Sequence, residues 1–227
     1  MIEKVSWDSD FFGYTVGKVN FNSDEDFTKF LKIDKNAFRL IYIFSQNELE
    51  LVDEYTKKVD TKLTLTKIIE IKTINDPNLS IKKVNIKEEN FESILQLAYL
   101  SGKYSRFKLD ENFKNEEFKK MYKVWISNTT NNKKIIVKYV NSEIVGLVVY
   151  SICKTKVNIE LISVSEVVQG QGIASELIRE IEKIGHENKC NTVEVVTQGI
   201  NLPATNLYKK NNFNISNSIL IYHYWNI

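Results

Sequence analysis

A chain of 227 residues, 43% hydrophobic and 26% charged, has the composition of an ordinary globular protein, long enough for one large domain or two small ones around a sizeable core. Thirty-one basic residues against twenty-nine acidic leave a net charge of +2, which excludes a whole-protein field that would gather nucleic acid or an anionic membrane while leaving local phosphate binding open. Cys153, Cys190, His186 and His223 lack metal-ligand spacing, no apolar run approaches the roughly 18 residues of a membrane span, and MIEKVSWDSD does not read as a signal peptide, so the expectation is no metal, no membrane and a cytoplasmic protein.

Residues 2–21 read as two short strands around a turn, the aromatic residues Trp7, Phe11, Phe12 and Tyr14 being interrupted by Asp8-Ser9-Asp10 and Gly13. Ser23 caps a helix that places Phe27, Phe30 and Leu31 on one face. A strand follows at 37–45, an amphipathic helix at 47–58 and a long strand at 62–73, so the first third alternates β and α. Asn75-Asp76-Pro77-Asn78 is the clearest punctuation and divides the chain into units at 1–78 and 79–227.

The second unit opens with a strand at 81–86, a helix at 88–100 that puts Phe91, Ile94, Leu95 and Ala98 on one face, and a helix at 118–126 with Met121, Tyr122 and Trp125. Between the helices lies SRFKLDENF, whose Arg106, Lys108 and Asp110 are either the lining of an acceptor pocket or solvated loop charges. Strands at 134–139, 143–152 and 156–164 come next, the first pair joined through Val140-Asn141-Ser142 as a hairpin. This antiparallel meander delivers the chain to Gln169-Gly170-Gln171-Gly172 and a helix at 173–187 that buries Ile173, Leu177, Ile178, Ile181 and Ile184. A strand at 192–197, a short helix at 201–210 and a last strand or hairpin at 213–225 complete the chain, with no internal repeat.

The glycine turn leaves backbone N–H groups unpaired beside the positive end of a helix dipole, which is a seat for a phosphate or pyrophosphate. A nucleotide-triphosphate loop needs a lysine and a hydroxyl residue directly after its last glycine, where Ile173 and Ala174 stand. A dinucleotide fingerprint wants Gly or Ala where Ser175 stands, and opens a doubly wound sheet instead of following hairpin-linked strands.

Gln169-Gly170-Gln171-Gly172-Ile173-Ala174 resembles the Gln/Arg-x-x-Gly-x-Gly/Ala signature of the GNAT acetyltransferase superfamily, and the block from Asn201 to Phe213 is similar to that family's Asn-x-x-Ala-x-x-Leu-Tyr-x-Lys-x-Gly-Phe, with Asn212 in place of the glycine. Asparagine tolerates a left-handed backbone better than most residues, so the turn can survive. The resemblance implies an α/β (α+β) GNAT fold at about 81–227, a mixed central sheet flanked by helices, with a smaller N-terminal βα domain on the acceptor side. It implies acetyl-CoA as donor, held by the backbone amides of the turn Gln169, Gly170, Gln171, Gly172, Ile173 and Ala174, by the strand end at 161–164 with Ile162 and Val164, and by Asn201. More narrowly, WDSDFFGYTVGKV, SRFKLDENF and the ending after VTQGIN look similar to the TDP-fucosamine acetyltransferase group, which acetylates a nucleotide-linked 4-amino-4,6-dideoxy sugar for surface polysaccharide.

Acetyl transfer to an amine needs an oxyanion donor, a proton for the departing thiolate and a base for the amine. Tyr208 shares a helix face with Ala204 and holds its proton at neutral pH, which suits it, as the family does, to the general acid. A backbone N–H near 162–164 is the expected oxyanion donor. Glu160 or a water chain is the candidate base, Asn201 caps its helix or also reaches the cofactor, and Lys209 and Lys210 either meet phosphates or are solvated. His223 reads as strand-edge packing. Alternative readings keep the fold but take a peptide, polyamine or antibiotic amine, or make the chain a non-catalytic acyl-CoA-binding module; pairing of two copies stays open.

Overall fold

The computed structural model describes residues 2–21, 23–50, 53–70, 80–85, 90–127 and 133–226, so the punctuation at 75–78 and the expected strand end at 71–73 lie outside the described residues. β1 (Glu3–Lys4) and β2 (Val16–Phe21) flank α1 (Ser6–Phe12), so the connection expected as a turn is a two-turn helix. Ser9 Oγ donates to the Val5 carbonyl at 2.7 Å and accepts the Val16 N–H at 2.9 Å, while Trp7 stacks on Phe11 one turn away at 5.1 Å. Gly13 closes the helix at φ +75°, in the left-handed region.

α2 (Asp24–Leu31) starts where expected, with the Ser23 side chain accepting the Asp26 N–H, and β3 (Leu40–Ser45) follows. The helix expected at 47–58 does not form. Its described residues run as bends and irregular chain until β4 (Thr56–Ile68) begins. The Asp53 carboxylate accepts the N–H groups of Tyr55 and Thr56 at 2.8 and 2.7 Å, and the Leu49 N–H donates to the Tyr222 hydroxyl at 3.0 Å. The apolar residue at 49 is thus a loop anchor.

The second unit runs β5 (Ile81–Val84), α3 (Phe91–Ser101), α4 (Arg106–Leu109), α5 (Glu117–Ser127), β6 (Lys133–Val140), β7 (Glu143–Cys153), β8 (Lys156–Val164), α6 (Ile173–Glu187), β9 (Thr192–Gln198), α7 (Leu202–Lys210) and β10 (Asn214–Trp225). The ten strands form one mixed sheet in the order β1-β2-β3-β10-β4-β9-β8-β7-β6-β5, with β2–β3 and β8–β9 parallel and the other seven neighbouring pairs antiparallel. β10 is a single strand inserted between β3 and β4, with Leu220 opposite Ser45 on one side and opposite Thr61 on the other. Strands from both sides of the expected boundary at 78 and 79 therefore alternate within one sheet.

Helices cover both faces. On one, Leu177, Ile178 and Ile181 of α6 and Tyr208 of α7 pack on Leu65, Val157, Val193 and Val195, and Phe27 and Phe30 of α2 pack on Ile41, Ile43 and Tyr222. On the other, Ile94, Ala98, Met121 and Ile126 of α3 and α5 lie against Ile135, Val137, Leu147 and Val149, while Phe12 and Phe107 pack on Val16, Leu40, Tyr42 and Trp225. Both cysteines are free, Cys153 exposed and Cys190 buried. Leu177 has no exposed surface, so Leu177→Ala should lower stability by about 2–5 kcal/mol through lost burial and a residual cavity. Urea denaturation would show this as a lower midpoint at an unchanged slope.

Candidate functional site

Lys156 to Ile159 of β8 pair in parallel with Thr192 to Val195 of β9, and the pairing stops there although both strands continue. The cause is local. On the β7 side Val149 opposes Leu161 and Tyr150 opposes Ile159, which leaves Glu160 as the extra residue of a β-bulge. The bulge changes which face the strand presents: Val157 and Ile159 belong to the core under α6, whereas Leu161 joins the core under α3 and α5. Past this point the two strands diverge as a V. The Ser165 N–H donates to the Val145 carbonyl at 2.8 Å, so the two-residue alternation turns the N–H groups of Ile162 and Val164 toward the open side.

A single 3-10 turn at Glu166–Val168 leads to Gly170 and Gly172, at φ +81° and +84°. A Cβ on either would meet nothing within 4 Å, so the backbone conformation, not packing, calls for glycine here. Gly172 is the N-cap of α6 and supplies no side chain to cap it, which leaves the first-turn N–H groups available at the positive end of the dipole. The Gln169 side chain donates to the Val164 carbonyl at 3.0 Å and fastens the turn to the strand end. Val164, Gln169, Gly170, Gly172, Ala174 and Lys210 border a cavity of 180 Å³; Ile173 borders it too but is buried in the core, and Gln171 is exposed outside the cavity.

α7 is set by its first residues. Asn201 Oδ1 accepts the Ala204 N–H at 3.2 Å and Pro203 lies in the first turn, as expected. Asn212 adopts φ +64°, the left-handed conformation anticipated for it. Asn211 Nδ2 donates to Ser175 Oγ at 3.0 Å, so the residue that mismatched the dinucleotide fingerprint serves here to tie α7 to α6.

Four cavities join end to end through shared walls. The cavity at the glycine turn shares Val164, Gln169, Ala174 and Leu207 with one of 270 Å³, which shares Ile162, Asn201, Ala204 and Tyr208 with one of 410 Å³ in the mouth of the V. The third shares Tyr122, Trp125 and Gln198 with a fourth of 540 Å³, lined also by Trp7, Asp8, Asp60 and Arg106. Tyr208, 2% exposed, borders the middle two, and burial pushes its pKa well up so that it keeps its proton. Glu160 borders the third, its Oε1 accepting from the Ser151 hydroxyl at 2.7 Å. Lys209 instead borders a separate hollow with Asn212 and Phe213.

The charges of SRFKLDENF part ways. Arg106 faces the fourth cavity, and Lys108 is exposed with its ammonium 5.6 Å from the Phe118 ring. Asp110 turns inward, where its Oδ2 meets His223 Nδ1 at 2.6 Å and accepts from Trp225 Nε1 at 2.9 Å. His223 is therefore no edge residue: β10 is an interior strand and the ring has no exposed surface. Burial pushes its pKa down to about 4 although the Asp110 hydrogen bond pulls upward, so the neutral ring donates to the carboxylate. Burial alone would raise Asp110, but the hydrogen bonds from His223 and Trp225 outweigh it and hold the carboxyl below its usual range. Nothing in their sequence context marks Trp125 and Tyr122 as cavity residues, and the one signal for Asp60 is a lone acid in the strand run TKKVDTKLTLT.

Among the described residues no group of His, Cys, Asp and Glu could hold a metal ion, and no helix is long and apolar enough to cross a membrane. The model of the acetyltransferase (GNAT) family matches residues 97–213. No curated protein matches the chain by sequence. A conserved protein of unknown function from Staphylococcus epidermidis is similar in structure at a TM-score of 0.63 and 16% identity, covering 94% of this chain and 85% of that one. A GCN5-related N-acetyltransferase from Kribbella flavida gives 0.57 at 10% identity, over 92% and 80%, and one from Sphaerobacter thermophilus 0.52 at 12%, over 81% and 59%. At these identities the likeness is one of fold.

Because the folded pKa of His223 lies below its ordinary 6.5, the unfolded chain takes up a proton first as pH falls, and stability is lost between about 6.5 and 4. Urea midpoints measured from pH 7 to pH 4 should fall for the native chain, whereas His223→Gln should be less stable at pH 7 yet flatter across that window.

Proposed function

The chain belongs to the GNAT acetyltransferase family, and from that premise we propose that it moves the acetyl group of acetyl-CoA to the amino group of a TDP-linked 4-amino-4,6-dideoxy sugar, a step in making surface polysaccharide. The observation that carries the donor half is the continuous trough from the glycine turn through the opened V to Tyr208. Its chemistry fits the group. The turn offers first-turn N–H donors of α6 to a pyrophosphate, with Gly170, Gln171, Gly172, Ile173 and Ala174 contributing backbone and Lys210 a cation. Ile162 and Val164 offer strand N–H groups, and Asn201, its carboxamide oxygen committed to the cap, presents its nitrogen side. When bound, the thioester supplies an activated acetyl carbon.

Tyr208 serves as the fixed O–H donor for sulfur. Burial makes its proton harder to give up, but the same desolvation raises the basicity of a thiolate beside it, so the gap does not widen by the full shift. A backbone N–H of the open strand end meets the developing oxyanion. Glu160, fixed by Ser151, orders the polar side of the third cavity, from which it can take a proton directly or through water. The acceptor side falls to residues 1–78 together with α4 and α5, since Trp7, Asp60, Arg106 and Trp125 all line the fourth cavity. Two indoles there suit a sugar ring, and the N-terminal resemblance names the nucleotide-linked kind.

Tyr208→Phe should keep CoA affinity in calorimetry and lower kcat by about 10²-fold or more, the scale of general acid catalysis. Gly172→Val should weaken CoA binding, because a β-branched residue at φ +84° costs about 1–2 kcal/mol or more and moves the N–H donors. For the acceptor, free thiol is followed with TDP-4-amino-4,6-dideoxy-galactose, spermidine, kanamycin and a short peptide. Release with the nucleotide sugar is expected; release with another amine alone would overturn the sugar assignment.

A further inference from the structure

The fourth cavity holds Asp60 and Arg106 on its wall, and both are incompletely satisfied. Asp60 Oδ1 and Arg106 Nε are buried from solvent and have no hydrogen-bond partner. Leaving a buried polar atom unpaired forfeits the hydrogen bond that would offset its desolvation, so two such atoms on one cavity wall point to a ligand that completes them. The Arg106 guanidinium lies 4.9 Å from the Tyr42 ring and 4.6 Å from the Phe107 ring.

The backbone aims Asp60 there deliberately. Lys57 opposes His223 and Asp60 opposes Ile221, so three steps along β4 match two along β10, and the intervening bulge brings Asp60 onto the face that carries Tyr42, His223 and α4. Regular alternation from Lys57 would have sent it to the face covered by α2 and α6. Asp60 also sits just beyond Lys62, which opposes Gln198, a residue of both the third and the fourth cavity.

We propose that Asp60 is the acid–base residue of the acceptor side: its free oxygen receives the ammonium of the acceptor and takes the proton that must leave before the nitrogen can attack. This rests on the acetyl-transfer reading above and deepens it. The class of acceptor that fits is a primary amine on a compact body bearing an oxygen that Arg106 can meet, whether hydroxyl, phosphate or carboxylate. A polyamine, with a second cation toward Arg106, fits poorly.

The proton and electron balance closes without another reactant. Asp60 takes one proton from the ammonium; the freed lone pair forms the C–N bond to the thioester carbon; the C–S bond breaks with its electrons on sulfur; and sulfur takes the Tyr208 proton. The second nitrogen proton, lost as the amide forms, passes to Glu160 directly or through water and from there restores Tyr208, the two bordering the same cavity, and Asp60 returns its own to solvent. Burial raises the Asp60 pKa to about 6 against the opposing pull of Arg106 and the Thr61 backbone, which poises it as a base near neutrality. Around it stand Arg106 on α4, Asp8 on α1, with its carboxylate accepting from Tyr42 on β3, Tyr122 on α5, and Lys57 and Lys62 on its own strand.

The test uses the full chain with acetyl-CoA and whichever amine of the four-member panel releases thiol fastest, measuring kcat/KM from pH 5 to 8. The native profile should rise through about pH 6. Asp60→Asn should remove that rise and lower kcat/KM by about 10²–10⁴-fold with CoA affinity unchanged, while Asp60→Glu should keep a rise at a shifted midpoint. An unchanged profile in Asp60→Asn, or a loss confined to CoA binding, overturns the role of Asp60 and leaves the acetyl-transfer reading standing. Should the Asn variant misfold, an unmoved midpoint in Asp60→Glu overturns it equally. No thiol release from the native chain with any of the four amines, CoA still binding, overturns the functional reading and this proposal together.

Discussion

A strand in the interior of a sheet cannot simply stop pairing, because each buried N–H and carbonyl left without a partner costs free energy comparable to a lost hydrogen bond. The bulge at Glu160 imposes that condition on β8 and β9, whose ladder ends at Ile159 while both strands go on. Everything near the site answers to it. The Gln169 side chain satisfies the Val164 carbonyl, the Asn201 cap starts α7 across the gap, and Tyr208 closes the floor, while the N–H groups of Ile162 and Val164 stay turned to the opening. The open strand end and the uncapped start of α6 amount to one design, a row of backbone donors kept free by the surrounding fold.

The trough and the fourth cavity draw on different sources of polarity. Along the trough the hydrogen-bond donors are mostly peptide groups, fixed in place and insensitive to pH. Beyond the V the wall carries Asp8, Asp60 and Arg106, and under the proposed function the first suits a cofactor and the second proton exchange with an amine. Asp110, His223 and Trp225 stand behind that wall as a buried brace: the carboxylate that ends α4 is held by two side chains of the interior strand β10, and so Arg106, one turn earlier, is held in position by the sheet. The single net charge of the chain revealed none of this, because the decisive charges are few and local.

The sequence was informative where one residue type performs one physical task. The apolar period of Ile173, Leu177, Ile178 and Ile181 and the glycine before it delimit α6 at both ends, and Asn201 with Pro203 announces α7. Reading failed where the same residues serve two arrangements. Leu49 has helical spacing with its neighbours yet anchors a loop under Tyr222, and the Trp7–Phe11 pair that stacks within α1 looked like a cluster around a turn. Bulges are worse placed still, since neither Glu160 nor the segment around Asp60 carries any residue that requires one; both follow from how long strands settle against their neighbours. The position of β10 is likewise a matter of tertiary pairing between segments far apart in the chain, on which periodicity is silent.

That position has a consequence for how the protein is made. β10 fills the slot between β3 and β4, so Leu40 waits for Trp225, and β10 is synthesised after every other strand described. Until then the nascent chain carries two strands with unpaired edges facing one another across an empty slot, the kind of surface that recruits foreign strands. Closing it joins residues nearly the whole chain apart, a slow step for any sheet. The brace on α4, resting on His223 and Trp225, therefore exists only once β10 has entered that slot.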